Sequence, residues 1–272
     1  MSEITITRVI APNPGPLTGP GTNSFIIGDS AGCVVVDPGI ADAGHLDAIT
    51  TLGEAWGGIT GIVITHAHPD HIGGAAELAA HVHSPVLALS NVANGVPFAD
   101  ILLSDGMQIA AGQQHLTVLA TPGHRFDHVC LWHAPSGILF AGDLMAGVGT
   151  VVIAPPEGDM RDYLASLERI AALPLQRIWP GHGDAIDDPH ERIAGYIAHR
   201  LERESKVVAA LRGGAQPQTL AQLVPVVYTD TDANLHAWAA MSLLAHLLKL
   251  EAEGRVTHTG DDPHAALWQI VM

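Results

Sequence analysis

The segment HAHPDH, residues 66–71, restricts the fold of this chain more than any other part of the sequence. It follows an apolar run that predicts a buried strand, and a helical pattern comes after it. In extended backbone His66 and His68 project to the same side, so both side chains are able to converge on one metal ion. The proline fixes a turn, which leads us to expect Asp70 and His71 to face a second ion beside the first.

Three later residues supply the ligands that two ions would still need: His124 in TPGH, Asp143 in AGD and His182 in PGHG. Each lies where a strand-like run breaks into a loop containing glycine, a position from which a rigid scaffold aims a ligand. We predict a first site of His66, His68 and His124, a second site of Asp70, His71 and His182, and a bridging Asp143. Imidazole and carboxylate together suit zinc, our expected metal, and leave iron or manganese open. The alternative is a histidine-rich loop without metal.

Three more polar residues stand close to these candidates in the sequence. Asp37 ends the apolar run VVVD, where it would either accept the second N–H of a ligand histidine or form a turn before Pro38. Asp127 and His128 follow His124, and we expect them to orient that loop rather than to bind metal. A second HxH pair, His81 with His83, is interpreted as a surface pair.

Charge argues against a general nucleic-acid binder. The net charge is −16, and residues 1–190 contain five Lys or Arg against nineteen Asp or Glu. Such a region repels phosphate backbones at long range. Only two cysteines are present, Cys33 and Cys130, both in apolar runs typical of buried thiols. Cysteine ligands for zinc are therefore excluded by number.

No targeting or membrane segment is evident. No apolar run approaches the roughly 20 residues that cross a bilayer. The N-terminal residues MSEITITRVI lack the basic and apolar regions of a secretory signal. We therefore expect a cytoplasmic protein without a membrane partner.

The pattern of elements changes near residue 190. Strand-like and helical runs alternate before it, which predicts an α/β fold. After it come a long helix from about Pro189, two more helical patterns at 219–227 and 234–253, and a hairpin. Three helices and a hairpin are the order of a winged-helix module, so we predict domains at 1–190 and 191–272. The apolar last helix would pack either on the core or on a second subunit, which leaves a homodimer open.

The motifs HAHPDHIGG, TPGHRFDH, FAGD and PGHG together resemble the metallo-β-lactamase superfamily. The resemblance implies a four-layer αββα sandwich with the metal site at one edge, and it carries the family's ligand positions onto the seven residues named above. Class B β-lactamases use a cysteine near the position of Asp143. The pattern here is instead similar to glyoxalase II, lactonases, and RNA- and phosphodiester-cleaving members.

Further segments narrow the resemblance. PNPGPLTGPGTNSFIIG, WPGHGDAI and LLAHLLKLEAEGRV resemble the β-lactamase-like-protein-2 group over nearly the whole chain. That group carries a C-terminal winged helix, and it includes a mitochondrial endoribonuclease for single-stranded RNA and bacterial relatives described as glyoxalase II-like. The chain has no evident cluster of basic residues for the carboxylates of glutathione.

Three functions compete at this point. The favoured one is a dinuclear hydrolase that uses a metal-bridging hydroxide on a small ester, thioester or lactone, and the resemblance implies that Asp70 orients the nucleophile and shuttles a proton. The alternative is an endoribonuclease or phosphodiesterase acting on single-stranded RNA, supported by basic residues on the long helix. A mononuclear iron enzyme, such as a persulfide dioxygenase, is disfavoured by the complete second ligand set. Arg125 and Tyr163 are tentative substrate-binding residues. The alternatives are a surface ion pair for Arg125 and packing on its own helix for Tyr163.

Overall fold

The computed structural model describes residues 4–90, 94–214 and 217–271. Two compact units account for them. The first contains the described residues of Met1–Thr121, Asp127–Val151 and Arg169–His190, and the second those of Pro122–Phe126, Val152–Glu168 and Glu191–Met272. One boundary between the units falls between residues 190 and 191. The second unit also contains two short earlier segments, which the sequence did not lead us to assign to it. The domain limits 1–190 and 191–272 stay a prediction.

The first unit contains a six-stranded sheet in the order β1 to β6. Its strands are β1 Thr5–Ile10, β2 Asn23–Asp29, β3 Gly32–Val36, β4 Ile59–Val63, β5 Val86–Ala88 and β6 Ile101–Leu102. The first three pair antiparallel, and from β3 onward the pairs are parallel. The carboxyl ends of β3 and β4 therefore lie side by side, which is where Asp37 and His66 follow.

A second sheet of five strands has the order β11-β10-β9-β8-β7. Its strands are β7 Gln108–Ala111, β8 Gln114–Ala120, β9 Val129–His133, β10 Ile138–Gly142 and β11 Arg177–Pro180. Only β10 and β11 pair in parallel. Asp143 and His182 follow these two parallel strands, so their carboxyl ends also bring two candidate ligands to one edge.

Apolar side chains fill the space between the two sheets. Phe25 and Val34 from the first sheet pack with Leu131 and Phe140 from the second, and the rings of Phe25 and Phe140 lie 5.3 Å apart. Because strand side chains alternate between faces, the opposite face of the first sheet buries a second set against helices α1 Ala43–Ala55 and α3 Ala75–Val82. This arrangement is a β-sandwich with helices on its outer face.

The second unit is mainly helical. It contains most of α5 Pro189–Gly213, then α6 Leu220–Val227, α7 His236–Ala252 and the hairpin β12 Val256–Thr259 with β13 Leu267–Ile270. Helix α4 Met160–Ala171 begins in this unit. Leu223, Leu243, Leu247 and Trp268 form the centre of its core. The order of helices and hairpin after residue 190 is the one that the sequence predicts.

Two features differ from the sequence-based expectation. Strands β6 and β7 were not predicted, because Ile101–Leu102 is only two residues long and β7 shows only four residues of alternating burial. The helix expected after HAHPDH is α3, which begins at Ala75, and a separate short helix, α2 Pro69–Ile72, precedes it. A Cβ atom on Gly73 would lie 2.7 Å from the Pro69 carbonyl oxygen, so the backbone packs here more tightly than a side chain permits.

Within the described part of the chain, no helix combines the length and the apolar character that crossing a membrane requires.

Candidate metal centre

The loops after β3 and β4 meet through one buried carboxylate. Asp37 accepts hydrogen bonds from the backbone N–H and the hydroxyl of Thr65, at 2.8 and 2.6 Å. Its Oδ2 also lies 2.8 Å from Nδ1 of His71. Asp37 adopts a φ of 49°, which a non-glycine residue keeps only where its surroundings hold it. The sequence allowed Asp37 either to contact a ligand histidine or to form a turn before Pro38. The structure shows the contact with a candidate ligand histidine, His71.

Four candidate ligand atoms surround one point in the first unit. Nε2 of His71 lies 3.6 Å from Oδ2 of Asp70 and 3.5 Å from Oδ1 of Asp143. Nε2 of His182 lies 3.2 and 3.5 Å from the same two oxygens. With metal–ligand bonds of about 2.1 Å, neighbouring ligands of a tetrahedral site lie about 3.4 Å apart. The observed spacings match that value.

The candidate atoms of the predicted first site lie beside this group. Nε2 of His66 is 2.9 Å from Nδ1 of His68 and 3.9 Å from Oδ2 of Asp143. One ligand atom from each of these residues lies within 4.8 Å of the others. Asp143 therefore presents one carboxylate oxygen to each group of histidines.

His124 lies in the segment Pro122–Phe126, which belongs to the second unit. It is buried, and its Nδ1 lies 2.8 Å from the carbonyl oxygen of Val152 in the same unit. A neutral imidazole bound to a carbonyl through Nδ1–H keeps its Nε2 lone pair for another partner. Its role as a ligand of the first site stays a prediction.

Two observations indicate that these residues suit a cation. Nε2 of His71 is buried and forms no hydrogen bond within the described residues, although its Nδ1 is bound to Asp37. A buried imidazole nitrogen rarely lacks a partner unless a ligand completes it. A Cβ on Gly181 would lie 2.5 Å from Oδ1 of Asp143 and 2.9 Å from Cε1 of His71, so only glycine leaves this point open.

The electrostatics around His71 and His182 follow from opposite charges that are buried close together. Burial opposes the shift, but Asp143 and Asp70 raise the pKa of His182 to about 9. Against the same effect, Asp143 and Asp37 hold the pKa of His71 well above its usual range. Burial also disfavours charge on the two carboxyls, yet His182 lowers the pKa of Asp70 to about 2 and His182 and His71 keep that of Asp143 well below its usual range. A divalent cation would replace the protons of the two imidazoles.

The remaining residues near the candidates contact backbone. Oδ2 of Asp127 accepts from the backbone N–H of Ala67 at 3.1 Å, between the first two histidines. Nε2 of His128 accepts from the backbone N–H of Asp143 at 3.1 Å, and its Nδ1 lies 2.9 Å from the Thr121 hydroxyl. Both side chains hold the chain beside candidate ligands, and their functional roles stay predictions.

Sequence reasoning did not single out Thr65. Its hydroxyl contacts both Asp37 and Nδ1 of His66, at 2.6 and 3.0 Å. It therefore joins the carboxylate behind one group to a histidine of the other. A threonine directly before an HxHxDH segment was the available signal, but a β-branched residue at the end of an apolar run has an ordinary structural explanation.

The two tentative substrate residues are both buried. Arg125 forms an ion pair with Glu157, and its guanidinium lies 5.4 Å from the Phe126 ring centre. Tyr163 is fully buried, with the guanidinium of Arg200 lying 5.2 Å from its ring centre. A role for either residue in substrate binding stays a prediction.

The second HxH pair lies apart from these groups. His81 and His83 are exposed, at the last turn of α3 and the residue after it. Neither belongs to a group of described residues that could hold a metal ion.

Comparisons with known proteins show the family to which the chain belongs. Residues 17–182 match the model of the metallo-β-lactamase superfamily, and residues 219–268 match that of the β-lactamase-associated winged-helix domain. A β-lactamase-like protein 2 homolog of Caenorhabditis elegans is 32% identical over 95% of this chain and 87% of its own length. A thioesterase of Emericella nidulans is 33% identical over 76% of this chain and 58% of its own length.

The fold has a solved counterpart. The crystal structure of a metallo-β-lactamase family protein from Thermus thermophilus aligns with a TM-score of 0.80 and 22% identity over 98% of both chains. The chain belongs to the metallo-β-lactamase superfamily, whose members are metal-dependent hydrolases. Within that class it is similar to the β-lactamase-like protein 2 homologs over nearly its whole length, and it carries the β-lactamase-associated winged-helix domain.

Proposed function

We propose that this chain is a hydrolase with two divalent metal ions, zinc by the chemistry of its donors, that cleaves a small ester, thioester or lactone. One observation carries the proposal. Asp143 directs Oδ1 towards Nε2 of His71 and of His182, both at 3.5 Å, and Oδ2 towards Nε2 of His66 at 3.9 Å. A carboxylate with one oxygen towards each of two imidazole groups is suited to bridge two ions.

Two bound divalent ions would lower the pKa of water and polarise the oxygen of the substrate. The residues of the chain orient those ions and move protons. The side chain of Asp70 is 28% exposed, whereas His71 is fully buried. Asp70 is thus the carboxylate of its group that is open to solvent and substrate, which supports its role in orienting the nucleophile and accepting a proton.

Charge within the second unit supports a small substrate over RNA. Arg203, on α5, is buried and donates to Asp230 at 2.8 Å. Lys206 pairs with Glu202 and Asp230, at 2.9 and 3.2 Å. These cations are already neutralised by neighbouring carboxylates, so they offer little attraction to a phosphate backbone. The similarity to a thioesterase adds weight to the acyl substrate.

The test pairs metal analysis of the purified protein with three probes: a thioester, a lactone and a single-stranded RNA. We expect two metals per chain and turnover of the thioester or lactone. Asp70→Ala and His68→Ala should abolish this turnover, and His81→Ala, which alters an exposed histidine outside the site, should not. Cleavage of RNA alone would replace the proposed substrate class. One iron per chain without hydrolysis would refute the dinuclear mechanism.

A further inference from the structure

We propose that Thr22, held by Asn13, is a positioning residue that orients the carboxylate of Asp70. The hydroxyl oxygen of Thr22 lies 3.4 Å from Oδ2 of Asp70 and 2.9 Å from Nδ2 of Asn13. Thr22 is fully buried, directly before β2. None of the sequence motifs for metal binding includes either of these two residues.

The direction of the hydrogen bonds follows from what each group is able to donate. The backbone N–H of Thr22 can only donate, and it lies 2.9 Å from Oδ1 of Asn13. The oxygen of the Asn13 amide is thereby assigned, so the NH₂ group must face the Thr22 hydroxyl. That hydroxyl accepts from Asn13, and its single hydrogen is left to donate to Asp70, an ionised carboxylate that only accepts. Asn13 therefore determines where the Thr22 hydrogen points.

The same short segment also contacts the histidine opposite Asp70. The carbonyl oxygen of Gly21 lies 3.4 Å from Nδ1 of His182, and Thr22 pairs with His182 in an isolated antiparallel bridge. An Nδ1–H bound to that carbonyl leaves Nε2 of His182 for the side where Asp70 lies. Residues 21 and 22 thus contact both Asp70 and His182.

The backbone of this segment is held from both sides. Gly21 has a φ of 141°, and a Cβ there would lie 2.0 Å from the carbonyl oxygen of Ala11, so no other residue fits. Asn23 donates through Nδ2 to the carbonyl oxygens of Pro180 and Gly183, at 2.9 and 2.8 Å. A rigid support is what a residue needs in order to orient a ligand.

This inference rests on the proposed role of Asp70 as a metal ligand. Loss of a hydrogen bond behind a ligand typically weakens metal binding by about 10–100-fold. The Thr22 bond to Asp70 is long, so we expect roughly the lower end of that range, about tenfold. The effect should concentrate on the ion bound by Asp70, His71 and His182.

The test is a titration of metal-free protein with Co²⁺, followed by visible absorption, and beside it thermal unfolding of the metal-free protein. Thr22→Val replaces the hydroxyl with a methyl group and should weaken the binding of one of two Co²⁺ equivalents about tenfold. Thr22→Ser, which keeps the hydroxyl, should restore binding. Thr60→Val makes the same chemical change at an exposed residue outside the site, where the hydroxyl donates to the Cys33 carbonyl, and should leave both Co²⁺ equivalents unchanged. Asn13→Ala provides a second test in case Thr22→Val does not fold. It should weaken the binding of the same Co²⁺ equivalent.

Asp70→Asn separates the two levels of the argument. If it weakens one Co²⁺ equivalent and neither Thr22→Val nor Asn13→Ala does, the positioning role is refuted and the proposed function stands. If Asp70→Asn itself binds two Co²⁺ ions like the unaltered protein, the ligand role fails, and the positioning role with it. If Thr22→Val lowers both the unfolding temperature of the metal-free protein and the Co²⁺ affinity, and Thr22→Ser restores neither, the role of Thr22 is structural only.

Discussion

Asp37 Oδ2 lies 2.8 Å from Nδ1 of His71, and Nε2 of the same ring faces the carboxylates of Asp70 and Asp143. The buried carboxylate thus sets which nitrogen of His71 carries the proton and which is left for a cation. This arrangement, a carboxylate behind a ligand histidine, orients the ring and raises its basicity. The relationship joins the end of one strand to the helical turn after the next.

Asp37→Asn should weaken metal binding at the His71 site about 10–100-fold. The amide would remove the negative charge behind the imidazole while keeping the size of the side chain. The affinity is measured by competition with a chelator of known strength. Asp47→Asn, which changes an exposed aspartate on α1, is the control and should bind metal normally. Equal affinities for both variants would contradict the role of Asp37.

Gly181→Ala should reduce metal content and activity, because the added Cβ would lie 2.5 Å from Oδ1 of Asp143. Gly195→Ala is a matched control: nothing lies within 4 Å of its added Cβ on helix α5. That control should gain stability by about 0.5–1 kcal/mol, as expected for glycine replaced inside a helix. Elemental analysis and thermal unfolding measure the two effects. Full metal content in Gly181→Ala would show that the point it occupies is not the metal position.

His128→Leu should destabilise the protein by about 1–3 kcal/mol, since it removes the acceptor that the backbone N–H of Asp143 uses. His128→Gln retains an acceptor at similar reach and should recover part of that loss. Urea unfolding of the metal-free protein measures the change in the free energy of unfolding. Two variants of equal stability would argue that packing, and not this hydrogen bond, is the contribution of His128.

We expect the protein to lose stability in acid because of His246, which lies in the core of the second unit. Burial, helped by Arg200, Lys249, Arg203 and His199, lowers the pKa of His246 to about 3. The unfolded chain binds a proton there below its ordinary pKa of about 6.5, and the folded chain does not. The free energy of unfolding should therefore fall by up to about 1.4 kcal/mol per pH unit between those values. His246→Leu should lessen this dependence in urea unfolding at pH 7 and pH 5, and parallel pH profiles would contradict it.

The sequence by itself determined the class of fold and most of the site. HAHPDH after a buried strand, with glycine-containing loops at the later strand ends, was enough to select His66, His68, Asp70, His71, Asp143 and His182, and the structure brings these six together. Local periodicity also determined α5 and the two helices that follow it, because amphipathic segments carry their own signal.

Only the tertiary structure decided the contacts behind these residues. The Thr22 hydroxyl reaches Asp70 over 48 positions in the sequence, and Asp37 reaches His71 over 34. Neither contact produces a periodic pattern or a short spacing in the sequence, because each depends on which strands become neighbours and on the turn that follows them. The short edge strand Ile101–Leu102 was missed for the same reason: its pairing with β5, and not its own two residues, makes it a strand.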